Sequence, residues 1–253
     1  MNENKFWSFI AIALAVMAFF YEKQSIGCLL LIGLGTVIFC YLFSYIWNKV
    51  VNSNHKWIDA LCFAFSKNKL PYTIIDKIIN YTICSEKEAK YDLKCKLINN
   101  SKDSQFCYKG RYHWDQEEEI SVSVEGNFEY KCSEDFKWST IEITPKSNTI
   151  IHNGEKVDCG FSLTNLYMTK LSKHSYLSCK MIEKVKHLKM IATVPSRLKP
   201  MEQAVFIIQN PLGDEISREK INYNKSNGTY EKVIDYPRKG RKYIIKWDYD
   251  DKN

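Results

Sequence analysis

Ser25 to Trp47 reads SIGCLLLIGLGTVIFCYLFSYIW, 23 residues without one aspartate, glutamate, lysine, arginine or histidine. A segment of this kind has few ways to fold in water. A helix rises about 1.5 Å per residue, and about 20 apolar residues cross the ~30 Å hydrocarbon core of a bilayer. Tyr41, Tyr45 and Trp47 gather at its far end, where amphipathic rings prefer an interface. The pattern predicts a transmembrane helix over 25–47. Phe6 to Tyr21, FWSFIAIALAVMAFFY, is shorter and predicts a first span over 6–21. A signal peptide is the competing reading, but MNENK sets one lysine against one glutamate, and no small-x-small cleavage site precedes Glu22.

Only Glu22, Lys23 and Gln24 separate the two segments, so they predict an antiparallel hairpin. Lys5 and the N-terminal amine precede it, Lys49 and Lys56 follow it, and Lys23 in the loop is offset by Glu22. The positive-inside bias then places both termini and the rest of the chain in the cytoplasm, as a two-pass protein of the inner membrane. Ala11 and Ala15 on the first span, and Gly27 and Gly35 on the second, recur at four- and eight-residue spacing. Small residues let helices approach closely, either within one hairpin or between copies.

The remaining chain carries nearly all the charge behind the formal +7. Its strongest period is two. Ile120, Val122 and Val124 alternate with serines, Phe128, Tyr130 and Cys132 keep that phase, and Trp138 to Thr144 adds a further strand. Turn residues separate these runs, which is the signature of half-buried antiparallel sheet. Five more strand candidates follow: 190–194, 204–209, 216–223, 229–236 and 242–248. Before them, Trp57, Leu61 and Phe65 suggest a helix, and Ile74, Ile75, Ile78 and Ile79 suggest a second one opened by Pro71. The fold class expected is therefore a membrane-anchored α+β protein. A hairpin over 1–47 leads through a helical, net-basic connector over 48–83 to a β-rich barrel or sandwich over 84–187. A second β unit over 188–253 either stands alone or completes the same domain.

Nine cysteines, none with CxxC spacing, argue for reduced and mostly buried thiols. No nucleophile elbow, P-loop, HExxH or dinucleotide fingerprint is present, and the five histidines are scattered. The sequence thus points to a binding protein, with no catalytic residue, metal site or cofactor to nominate. One cluster has chemistry. Arg238, Lys239, Arg241 and Lys242 surround Gly240 in an expected hairpin turn, which can offer guanidinium forks and backbone amides to a phosphate. Phe106, Tyr108, Tyr112 and Trp114 either pack a core or, facing a pocket, stack a base. The basic excess is diffuse, so duplex DNA is not an expected partner.

Two N-terminal spans, a brief loop and a β-rich region make a layout that resembles the two-transmembrane, β-strand-rich effectors of bacterial anti-phage (abortive-infection) systems, both cyclic-oligonucleotide-signalling and retron-associated. The likeness is one of architecture and transfers no site residue. It implies a toxin held inert until its β-rich domain is triggered, which then self-associates and disrupts the membrane. The partners implied are the lipid bilayer, further copies of the chain, and either a cyclic nucleotide or a reverse transcriptase with its nucleic acid. A non-toxic membrane-tethered adaptor has the same layout.

Overall fold

In the computed structural model, residues 26–52, 55–66, 70–101, 106–112, 120–135, 138–147, 149–167 and 174–249 are described. The chain divides into two units, Met1–Ser53 and Asn54–Asn253. The first contains helix α1 (Ile26–Asn52). Among the described residues no helix is long and apolar enough to cross a membrane. This corrects both the expected two-helix transmembrane hairpin and the two-pass inner-membrane placement. The span expected over 6–21, with Ala11 and Ala15, lies outside the described residues. Gly27 falls in the first turn of α1, and Gly35 has no heavy atom within 4 Å of where a Cβ would stand. Leu34, Val37, Ile38, Phe39, Leu42, Phe43 and Ile46 are all exposed, so apolar side chains face solvent around the described part of α1.

Among the described residues the second unit holds helix α2 (Lys56–Phe65), one 3-10 turn (Ser196–Leu198) and thirteen strands. These are β1 (Tyr72–Ile83), β2 (Glu88–Asn99), β3 (Tyr108–Tyr112), β4 (Ser121–Val124), β5 (Phe128–Asp135), β6 (Trp138–Pro145) and β7 (Lys156–Tyr167). After them come β8 (His174–Lys180), β9 (Val185–Thr193), β10 (Gln203–Gln209), β11 (Glu215–Asn222), β12 (Thr229–Asp235) and β13 (Lys242–Asp248). A six-stranded sheet has the order β12-β9-β1-β2-β7-β4, a four-stranded sheet β11-β10-β13-β8, and a three-stranded sheet β3-β6-β5. The pairs are antiparallel except β1 with β9. Residues from both expected β regions enter the largest sheet, because β9 and β12 line up beside β1.

The second expected helix is a strand, and the sequence shows why. Tyr72 and Ile74 point into the core, then a bulge between Ile74 and Asp76 inserts one residue against β2. Side chains alternate along a strand, so one extra residue reverses every side chain beyond it. Ile79, Tyr81 and Ile83 are thereby buried in place of Ile78, Asn80 and Thr82. Two apolar pairs offset by a bulge look like one helical stripe. The reversal also turns Lys77 inward. β7 contains a similar break, with Asn165 at φ 60° between the buried Leu163 and Leu166.

The sheets share one apolar core. Trp247 of β13 lies 6.2 Å from the Tyr81 ring and 6.3 Å from the Tyr230 ring, joining the four-stranded sheet to the six-stranded one. Tyr108 lies 5.6 Å from Tyr72. At Gly110 a Cβ would stand 2.4 Å from the Phe161 ring, so only glycine lets β3 settle this closely on β7.

Candidate anion-binding site

Two connections meet at one end of the β unit. One runs from β8 to β9, the other from β12 to β13. Backbone bonds tie them together: Gly240 N–H donates to the Met181 carbonyl at 2.6 Å, Met181 N–H to that of Arg241 at 2.9 Å, and Tyr236 N–H to that of Lys186 at 2.6 Å. The turn that permits this needs left-handed backbone at Gly240, φ 87°. Joining the two segments concentrates charge of one sign. Lys180, Lys184 and Lys186 come from the first, and Arg238, Lys239, Arg241 and Lys242 from the second. Lys180 stands directly opposite Lys242 in the β8–β13 ladder, where like charges repel.

Two acids in or beside these segments are already engaged. Glu183 pairs with Lys77, and Asp235 lies 2.9 Å from His187 Nδ1. What faces the arginines is Asp59 of α2. Arg238 Nε donates to Asp59 Oδ1, and Arg241 Nη1 stands 3.8 Å from the same oxygen, beyond hydrogen-bonding distance. The side chains of Arg238 and Arg241 are only 8% and 3% exposed, and that of Asp59 11%. Two buried guanidinium groups therefore converge on one carboxylate. Burial, and next the neighbouring Arg238, lower the pKa of Arg241 from its ordinary value. The backbone N–H of Arg238 donates to the Tyr243 hydroxyl at 2.8 Å, and burial pushes that hydroxyl up to about 12. Arg241 also bonds to the Tyr243 hydroxyl, so both guanidinium groups are engaged, as ions removed from water must be.

A second polar cluster lies inside the sheets. The β1 bulge delivers Lys77 to Glu183, and the Tyr72 hydroxyl donates to Glu183 Oε1 at 3.5 Å. Burial alone would lower the lysine pKa, but the Glu183 carboxylate outweighs it and the ammonium is retained. Cys95 Sγ donates to the Tyr108 hydroxyl at 3.5 Å. Burial raises the Cys95 thiol to about 12 and the Cys179 thiol to about 11, so neither supplies a thiolate near neutral pH. Among the described residues no group of three or more His, Cys, Asp or Glu side chains is placed to hold a metal ion.

The outer face of the six-stranded sheet forms an open groove of about 720 Å³, lined by Asp76, Ile78, Lys94, Lys96, Asp158 and Lys189 among others. Its lysines are mostly neutralised across strands. Lys94 lies 2.7 Å from Glu125 and Lys189 2.8 Å from Glu231, while Lys96 is in register with Asp76 and Asp158 on either side.

The four basic residues singled out in the sequence thus do share one turn, with Arg238 and Arg241 turned inward and Lys239 exposed. Asp59, Lys180 and Lys184 were not singled out, and Asp59 is 179 positions from the arginine that it meets. The aromatic run takes the core role: Phe106 and Tyr108 are buried and Tyr112 packs against the core, while Trp114 lies outside the described residues.

No protein-family model matches the sequence, and no curated protein matches it. Among solved structures, a protein from Parabacteroides distasonis assigned as a protease is 11% identical, with a TM-score of 0.38 over 71% of this chain and 40% of that one. An M1 zinc metallopeptidase from Deinococcus radiodurans is 9% identical, with a TM-score of 0.36 over 71% of this chain and 43% of that one. The chain spans less than half the length of either.

Proposed function

We propose that this chain is a non-enzymatic effector whose β-rich unit binds a phosphate-bearing ligand at the Arg238–Arg241 turn, in a signalling system of the anti-phage type. The observation that carries this reading is the convergence of basic groups: the nearly buried Arg238 and Arg241 side chains meet at Asp59, in a turn that also holds Lys239 and Lys242. Guanidinium forks match phosphate oxygens bidentately, and in a water-poor site such bonds are strong. A cyclic dinucleotide presents that chemistry. The protonated thiols and the matched Lys77–Glu183 pair favour binding over catalysis. The output is self-association through α1, which is apolar on every described side and carries no charge to oppose a second copy before Lys49.

The test is calorimetric titration of the full chain with a cyclic dinucleotide and, separately, with inorganic phosphate. Heat that saturates for either ligand, and that Arg238→Gln weakens at least tenfold, is the expected result. A flat titration with both ligands defeats the reading. Sedimentation of the same samples should show heavier species when ligand is present.

A further inference from the structure

We infer that the outer edge of β5 is a docking surface for the β5 strand of a second copy of this chain. This surface is independent of the anion site above. Among the described residues β5 pairs with β6 alone and ends the three-stranded sheet, and an edge strand is a template for another strand. The sheet is dry at its centre and wet at this edge. Ile141 and Ile143 of β6 are wholly buried, yet Tyr130, directly opposite Ile143 and so on the same face, is 46% exposed. Glu129, Lys131 and Ser133 are exposed as well. β5 therefore carries the sheet past the core that covers its neighbours.

The side chains say what this edge fits. Lys131 stands opposite Glu142 of β6, but Glu142 is ion-paired with Lys109 of β3. Glu129 and Lys131 lie two residues apart on that same face, and neither has an ion pair of its own among the described residues. Pairing β5 with itself, antiparallel about a two-fold axis at Tyr130, sets Glu129 of each copy against Lys131 of the other and Tyr130 against Tyr130. The face then runs Lys109, Glu142, Lys131 and Glu129 of the second copy, alternating in sign across four strands. Opposite charges facing each other across strands stabilise the pair, and like charges oppose it. An axis one residue to either side would set Glu129 against Glu129 or Lys131 against Lys131, and parallel pairing in register would do both. The two charges thus select one register. Only about five facing pairs form, which makes this a weak and transient contact.

The experiment is hydrogen exchange on the full chain, read at the amides of residues 128–132 that β6 leaves unpaired, as protein rises from about 10 μM to about 500 μM. A local readout separates pairing at β5 from association anywhere else in the chain. Exchange there should slow several-fold at the upper concentration, while β6, already paired on both sides, is unchanged. Glu129→Lys and Lys131→Glu should each abolish the slowing, because each sets like charges against one another twice. An equimolar mixture of the two variants should restore it, since every facing pair is then opposite in sign. Should Lys131→Glu, which also faces Glu142, fail to fold, the wild-type and Glu129→Lys arms decide. Wild-type exchange that does not depend on concentration overturns the docking surface. Slowing that persists in Glu129→Lys overturns the self-paired register and the inference with it.

Discussion

The β unit buries two ion-paired clusters, and they differ in a way that separates structure from function. Lys77 and Glu183 are one cation and one anion, set between sheets and supported by Tyr72. Asp59, Arg238 and Arg241 are one anion and two cations, set beneath a ten-residue helix with most of its apolar side chains in solvent. The first cluster is matched and enclosed, so nothing else can enter it without disrupting the core. The second is more lightly covered, by a helix of ten residues.

The largest expected effect comes from breaking the matched pair. Glu183→Gln leaves the Lys77 ammonium buried without its partner, and removing one member of a buried pair costs about 3–5 kcal/mol. At about 2–4 °C per kcal/mol for a unit of this size, the thermal midpoint should fall by roughly 6–20 °C. The double replacement Lys77→Met with Glu183→Leu should recover most of that loss, since apolar groups of similar volume fill such sites well. Thermal denaturation followed by circular dichroism reads both. A double variant as unstable as the single one would show that the pair itself holds the sheets together.

The cluster of Asp59, Arg238 and Arg241 should respond less. With Asp59→Ala, the arginines can regain water once α2 lifts, so the loss is local. A hydrogen bond to a charged group is worth about 1.5–3 kcal/mol, and the midpoint of the sheets should fall by less than that implies. Hydrogen exchange over 56–65 should accelerate strongly while β1 and β2 remain protected. A cooperative loss of the whole unit would mean that α2 is part of the core.

These differences were unevenly legible in the sequence. Strands β10 and β13 follow from simple alternation between turn residues, because each has one drier and one wetter face throughout. β1 did not, since its bulge changes the buried phase in mid-strand and leaves Ile74, Ile75, Ile78 and Ile79 spaced like a helix. β7 hides in the same way behind Asn165. The apolar run after Ser25 does form a helix, but reading it as a membrane span took hydropathy alone as sufficient. For the site, the basic turn is contiguous and could be seen. Asp59 could not, because a lone aspartate in an amphipathic helix carries no sign of a partner 179 positions away.

A pH titration sharpens the comparison from the thiol side. Free cysteine ionises near pH 8.5, whereas burial holds Cys95 at about 12 and Cys179 at about 11 in the fold. A group whose pKa is raised by folding keeps its contribution below the unfolded pKa and loses it as pH rises toward the folded one. Stability should therefore be level up to about pH 8 and fall between about 8.5 and 11. Lys77, raised in the same sense, adds to the loss only above about pH 10. A thiol reagent at pH 8 should modify the exposed Cys62 and Cys132 at once, and Cys95 and Cys159 only on unfolding. Rapid modification of Cys95 in native protein would show that the enclosed cluster opens in the native state.

The smallest effect, and the most discriminating, concerns Lys242. It faces Lys180 directly across the β8–β13 ladder, and both lie at the basic end. Lys242→Glu turns a repulsive cross-strand pair into an attractive one, which is worth at most about 1 kcal/mol, or a rise of a few degrees in the thermal midpoint. The same change places a negative charge beside Arg241 and should weaken phosphate binding several-fold. Stability and binding then move in opposite directions from one substitution, as expected where positive charge is kept for a ligand at the expense of the fold. If Lys242→Glu stabilises the protein and leaves phosphate affinity unchanged, the lysines around the turn are ordinary surface charge. The anion site would then consist of Arg238 and Arg241 alone.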